Sequence, residues 1–240
     1  MKKNLGLIQA VYPMPVLMVA AYDETGKVNV MNAAWGMICA MDKIALFIDE
    51  DHKTTQNILK TKALTVALAD KAHMDVADFF GIASGNKMND KFERTGYHAI
   101  KSEHVNAPII EEFPVVMECE LAEVINTDNM YAIVGKIVNV AADEAVLDEK
   151  GKIDTARLNA LIFDQFKHGY YVSGEQVGKA WNAGAGLMKK KSKNKDTLVF
   201  VVVDVNGSPE PQIDFCLVEV FRFLFNNILY LVVFCCKHTT

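Results

Sequence analysis

Alternating apolar and polar positions predict several β-strands in the first 140 residues. Residues 15–22 and 28–31 flank a short polar turn, which predicts a hairpin. A second and longer hairpin is predicted from residues 115–124 and 130–140, which also flank a polar loop. Two further strands are predicted at 44–48 and 64–68.

Helical periodicity and helix-end residues add helices to these strands. Four helices are predicted, at 54–60, 71–80, 90–95 and 155–163. Asp154 is a suitable cap for the last of them, and Gly96 is expected to end the third. The sequence therefore predicts a mainly β chain with helical insertions, arranged as a barrel.

Composition narrows the class of protein. With 240 residues, 51% of them hydrophobic, the chain can bury one sizeable core without needing a second domain. Its formal net charge of −5 argues against a nucleic-acid-binding protein. The cysteines form no paired framework and the histidines lack metal-site spacing, so neither a disulfide nor a metal site is predicted. Because no signal peptide is recognisable, we expect a cytoplasmic protein.

The composition changes sharply after Met188. We predict a domain over residues 1–188, followed by a Lys-rich linker and an apolar extension over 189–240. The longest uncharged run of this extension, 223–236, has 14 residues, fewer than the ~20 that a membrane-spanning helix needs. An accessory element, a partner-binding segment and out-of-frame sequence all remain open for this extension.

Residues 81–92 suggest a site for an anion. Ser84 offers a hydroxyl and Gly85 permits close approach to the backbone, while Lys87 and Lys91 supply positive charge. Taken alone, a Ser-Gly loop of this kind is more often an ordinary turn.

Segments 28–36, 51–58 and 81–92, in this order, resemble the flavin reductase-like family, the FMN-binding split barrels that include flavoredoxins. The resemblance continues through 107–114, 117–120, 135–138 and 170–174. It covers nearly all of the chain from residue 7 to residue 187 and implies a split β-barrel.

The resemblance assigns roles to residues of the matched segments. Thr54 and Thr55 at a helix start would donate hydrogen bonds to the FMN phosphate, although without the resemblance Thr54 would more often be a helix cap. Asn32, Ala33 and Ala34 stand where the family commonly has a Thr-Ala-Ser-like run against the flavin ring. The full set of predicted cofactor-binding residues is Met31, Asn32, Ala33, Ala34, His52, Lys53, Thr54, Thr55, Ser84, Gly85, Lys87 and Lys91.

Two further residues outside this set, Trp35 and His168, each have two alternative roles. Trp35 would pack beside the ring or belong to the core, and His168 would reach the ring or lie on the surface.

The predicted function follows from the cofactor. No catalytic triad or nucleotide-binding glycine motif is present in the sequence, and hydride transfer to a flavin needs stacking and orientation more than a proton donor. The resemblance implies an NAD(P)H-dependent flavin oxidoreductase that reduces a flavin, ferric or other acceptor, with NADH or NADPH bound transiently. The alternatives are a flavoredoxin-like electron carrier reduced by a redox partner protein, and a flavin-free binding module. The resemblance also implies a homodimer with the flavin near the subunit interface.

Overall fold

The computed structural model describes residues 1–188 and, beyond them, the strand segments 199–202, 218–225 and 228–235. The chain divides into two compact units, Met1–Glu175 and Gln176–Thr240. The domain boundary after residue 188 stays a prediction. The lysine-rich run 189–195 lies outside the described residues.

The first unit contains twelve strands and three α-helices. The strands are β1 Met14–Pro15, β2 Leu17–Tyr22, β3 Val28–Ala33, β4 Gly36–Ala40, β5 Lys43–Leu46, β6 Ala63–Leu68, β7 Ala99–Lys101, β8 Pro108–Ile110, β9 Val115–Thr127, β10 Met130–Ala142, β11 Leu161–Asp164 and β12 Gly169–Val172. The α-helices are α1 Lys53–Thr61, α2 Met74–Ile82 and α3 Thr155–Leu158. Short 3₁₀ helices lie at Lys71–His73, Glu93–Thr95 and Glu144–Val146.

Seven antiparallel strands form the central sheet in the order β3-β2-β6-β9-β10-β5-β4. Both predicted hairpins are confirmed: β2 pairs with β3, and β9 pairs with β10 along its whole length. Strand β11 pairs with β1 and β12 in a three-stranded sheet, and β7 pairs with β8. The predicted mainly β architecture with helical insertions is therefore confirmed.

Strand β2 shows why the sheet is stable. Its apolar residues alternate between two buried clusters, because successive side chains of a strand point to opposite faces. Met18 and Ala20 pack into one cluster, whereas Leu17 and Val19 pack into the other. Both faces of this strand are covered, so its uninterrupted apolar run fits a central position in the sheet.

Two predicted helices differ from the structure. The helix predicted over 155–163 is wrong beyond its first turn: Asp154 caps α3 as expected, but Asn159 adopts a left-handed conformation and the chain continues as β11. Pairing with two neighbouring strands outweighs the local helical pattern there. In the segment 90–95 only Glu93–Thr95 forms a 3₁₀ turn, which ends at Gly96 with φ of 70°.

Strands Val199–Val202, Val218–Phe225 and Ile228–Cys235 form a three-stranded sheet of the second unit. The last strand pairs with both others. Among the described residues, no helix combines the length and the apolar character needed to cross a membrane.

Candidate anion and cofactor site

A cavity of about 250 Å³ lies between β3, the start of α1, the end of α2 and the loop that follows α2. Eight of the predicted site residues line it: Met31, Asn32, His52, Lys53, Thr54, Ser84, Gly85 and Lys91. Asn29, Phe80, Gly81, Ile82 and Ala83 complete the lining. The three separate segments that carried the sequence prediction thus meet at one place.

The start of α1 provides uncapped backbone donors. His52 precedes the helix in an extended conformation and its side chain makes no capping hydrogen bond, while the first turn contains no acidic residue. The Nδ1 atom of His52 is buried without a protein partner among the described residues. Free N–H groups and the positive end of the helix dipole favour an anion at this position.

Thr54 does not act as the cap of α1. Its side chain is 1% exposed, and its Oγ1 accepts a hydrogen bond of 2.6 Å from Asn29 Nδ2. Asn29 lies on β3 and is itself buried, so this bond joins the strand to the helix. Asn29 was not among the predicted site residues, although a polar residue in a buried strand requires a partner.

Gly85 allows the loop to approach the other two segments closely. A Cβ atom at this position would lie 2.3 Å from Asn29 Oδ1 and 3.1 Å from Lys53 Cβ. Any larger residue would therefore displace the loop from β3 and α1. The loop is also tied to the residues before α1, because Asn86 Nδ2 donates to the carbonyl oxygen of Asp51 at 2.8 Å.

Lys91 places a buried positive charge in the cavity wall. The residue is 4% exposed, and its Nζ donates to the carbonyl oxygen of Phe80 at 2.9 Å and lies 5.6 Å from the centre of the Phe80 ring. No carboxylate of the described residues forms an ion pair with it. Desolvation lowers the pKa of the ammonium group from 10.5 to about 8.

Four predicted residues do not line the cavity. Ala33 belongs to the core, and Thr55 is fully buried with an Oγ1 that has no partner among the described residues. Ala34 lies in the turn after β3, and Lys87 is exposed. Their roles toward a cofactor stay predictions.

The two residues with alternative assignments also lie outside the cavity lining. Trp35 is 52% exposed, so it is not part of the core of the isolated chain. His168 is exposed, with a positive φ of 55°, and its ring lies 6.3 Å from the ring of Phe163.

Ligand atoms of Asp49, Asp51 and His52 lie within 4.8 Å of one another near the start of α1. Both carboxylates are exposed, and exposed acidic groups of this kind are common without a bound ion. We assign no metal to this group.

Together, the uncapped helix, the unpaired ammonium group and the close glycine approach suit an anion such as a phosphate monoester. The buried charge and the orphaned His52 nitrogen both lack a partner that such a group would supply. Groups from three segments of the chain therefore converge on one cavity, where an oxygen-rich anion would find several hydrogen-bond donors.

Comparisons with known proteins identify the family and the fold. The family profile of the flavin reductase like domain matches residues 9–167. The flavoredoxin of Desulfovibrio vulgaris (Miyazaki F) is 34% identical, with a TM-score of 0.73 over 77% of this chain and 100% of its own. An FMN-binding protein from Thermus thermophilus shares the fold at 23% identity, with a TM-score of 0.62 over 75% of this chain and 97% of its own. The split-barrel fold expected from the sequence is thereby confirmed.

A further relative matches a smaller part of this chain. An uncharacterized protein from Aeropyrum pernix is 26% identical over 132 residues, which are 54% of this chain. The matched region spans only 50% of that relative's length.

The depressed pKa of Lys91 predicts a distinct pH dependence of stability. Between pH 8 and 10.5 the unfolded chain keeps a proton on Lys91 that the folded protein has released, so the free energy of unfolding rises with pH. This contribution, at most about 1.4 kcal/mol per pH unit, is absent in Lys91→Met. Urea unfolding in phosphate-free buffer measures the difference between the two proteins, and Lys87→Met is the exposed control. A difference independent of pH would contradict the prediction.

Proposed function

The chain belongs to the flavin reductase like domain family, and from this premise we propose that it binds FMN and acts as an NAD(P)H-dependent flavin oxidoreductase. The observation that carries the proposal is the unpaired, buried ammonium group of Lys91 in one cavity with the uncapped start of α1. FMN brings a dianionic phosphate that matches this positive wall, and when bound it supplies the hydride and electron chemistry.

We assign the phosphate to the wall formed by the start of α1 and the loop after α2. Lys91 supplies charge, the first N–H groups of α1 donate, and Ser84 and Thr54 add hydroxyl groups beside Gly85. The flavin ring is assigned to the β3 side, where Met31 lines the cavity together with Asn32. Ala33, Ala34, Thr55 and Lys87 remain candidates for contacts beyond the described cavity.

A carrier function is the second candidate. The structural relative from Desulfovibrio vulgaris is a flavoredoxin, and all of that chain is covered. A carrier would use the same FMN site but receive its electrons from a redox partner protein. Because the cavity residues bind the cofactor in both cases, the site itself favours neither function.

A homodimer is proposed to complete the site. Small-molecule sites usually span about 300–1,000 Å³, whereas the cavity of one chain holds about 250 Å³. Strand β4 begins four positions after Asn32 and pairs only with β5 among the described residues. Its Met37 and Ile38 are 65% and 58% exposed, and an uncharged apolar edge of this kind requires a cover. A second copy offers the same uncharged edge and can pair with it antiparallel about a two-fold axis.

We expect the protein to sediment at twice the mass of one chain. Ile38→Lys should shift it to the monomer and weaken FMN binding, because a lysine on an edge strand opposes pairing. Ile100→Lys, at an isoleucine on β7 that is 49% exposed, is the control. Analytical ultracentrifugation with and without FMN makes the measurement. A monomeric wild-type protein that binds FMN fully would rule out the proposed dimer.

We expect FMN to bind more tightly than riboflavin, because only FMN carries the phosphate. Lys91→Met should weaken FMN binding roughly tenfold or more, as expected for losing a charged hydrogen bond, with little effect on riboflavin. Lys87→Met, measured by the same fluorescence titration, tests the other predicted lysine. Equal affinity of the wild-type protein for both flavins would remove the phosphate assignment. A protein that stays colourless with FMN would favour a flavin-free module.

Steady-state oxidation of NADH and NADPH separates reductase from carrier. A reductase loaded with FMN should turn over either nucleotide with free FMN, a ferric chelate or oxygen as acceptor. The same assay without the protein is the control for background oxidation. Negligible turnover by a protein that holds FMN stably would reject the reductase and favour the carrier.

A further inference from the structure

Asn29 stands between the two segments that are assigned to the phosphate. It lies on β3 and lines the cavity, although only 8% of it is exposed. On one side its Nδ2 donates the 2.6 Å hydrogen bond to Thr54 Oγ1 at the start of α1. On the other side its Oδ1 faces Gly85, where a Cβ atom would lie only 2.3 Å away. The amide of Asn29 therefore contacts both segments at once.

The bond to Asn29 determines what the hydroxyl of Thr54 can still do. A hydroxyl has one O–H donor and two acceptor lone pairs, whereas an amide nitrogen can only donate. Thr54 Oγ1 is therefore the acceptor of this bond, and its own O–H donates to no protein group among the residues that the structure describes. The side chain is 1% exposed and lines the cavity, so an acceptor for this proton has to come from within the cavity.

The chemistry of a phosphate monoester matches a hydroxyl held in this way. At neutral pH the phosphate oxygens carry negative charge and act as hydrogen-bond acceptors. A hydroxyl that rotates freely can turn a lone pair toward such an oxygen and lose the bond. Asn29 occupies a lone pair of Thr54 and keeps the proton of the hydroxyl for the ligand. Lys91 lines the same cavity, so the ammonium group supplies attraction while the hydroxyl supplies direction.

We propose that Asn29 is a positioning residue of the site, which commits the hydroxyl proton of Thr54 to the phosphate of FMN and thereby favours FMN over riboflavin. This inference rests on the proposed function, because it assigns the phosphate to this cavity. Since Asn29 acts through Thr54, its removal should change the selectivity between the two flavins. A residue that only stabilised the fold would change the affinity for both flavins to the same extent.

A double-mutant cycle tests the inference, with the ratio of the riboflavin Kd to the FMN Kd as its readout. Asn29→Leu keeps the approximate size of the side chain and removes its donor, and it should lower the ratio roughly three- to tenfold. Thr54→Val removes the hydroxyl and should lower the ratio at least as much, whereas Thr54→Ser should retain it. In the Thr54→Val background, Asn29→Leu should have almost no further effect on the ratio.

Two further variants separate positioning from packing. Asn57→Leu is the matched control, because Asn57 is a buried asparagine of α1 that does not line the cavity. This change should leave the ratio as it is in the wild-type protein. Asn29→Ala adds no bulk against Gly85, so it should lower the ratio in the same direction even where the leucine variant folds poorly.

The outcomes distinguish this inference from the proposed function. A wild-type protein without a preference for FMN would remove the phosphate assignment and the inference with it. If the wild-type protein prefers FMN, and Lys91→Met lowers this preference while Asn29→Leu and Asn29→Ala do not, the inference alone is overturned. Equal weakening of both flavins in the Asn29 variants, or additive effects of Asn29→Leu and Thr54→Val, would also overturn it.

Discussion

The buried ammonium group of Lys91 is the constraint around which the candidate site is arranged. Burial of a charge is costly unless a partner compensates it, and here the carbonyl oxygen and ring of Phe80 compensate only in part. The uncapped start of α1 contributes positive potential to the same cavity. Without an anion, this potential and the ammonium group repel each other. A dianionic ligand relieves both at once, which explains why a fold would retain this arrangement.

The rigid part of the fold determines where these groups meet. Strand β3 is fixed in the seven-stranded sheet by β2, and α1 is tied to β3 through the bond between Asn29 and Thr54. The loop after α2 then closes against both because Gly85 has no side chain. Sites supported by strands and helices hold their groups more precisely than sites on loops alone. The loop residues Ser84, Gly85 and Lys91 depend on this closure for their position in the cavity.

Much of the fold was predictable because the strand pattern is local. The hairpins of β2–β3 and β9–β10 follow from alternation and turn composition within about thirty residues. Strand β11 was not predictable in this way, since its partners β1 and β12 are set by tertiary pairing. The same limit applies to the site. Its three segments were recognisable by motif, but the contacts between them were not. The contacts of Asn29 and Phe80 arise only when distant elements pack together.

The apolar edge at β4 bears on how electrons would reach the flavin. An edge strand presents a single row of unpaired N–H and C=O groups, so it can pair with only one other strand at a time. If a second copy covers β4, a redox partner protein must approach the flavin over another surface, and a nicotinamide must reach it through whatever opening the dimer leaves. If instead β4 stays free in the wild-type protein, the same strand becomes the natural place for a partner. The oligomeric state therefore constrains the choice between reductase and carrier, although both proposed functions would use the same cavity.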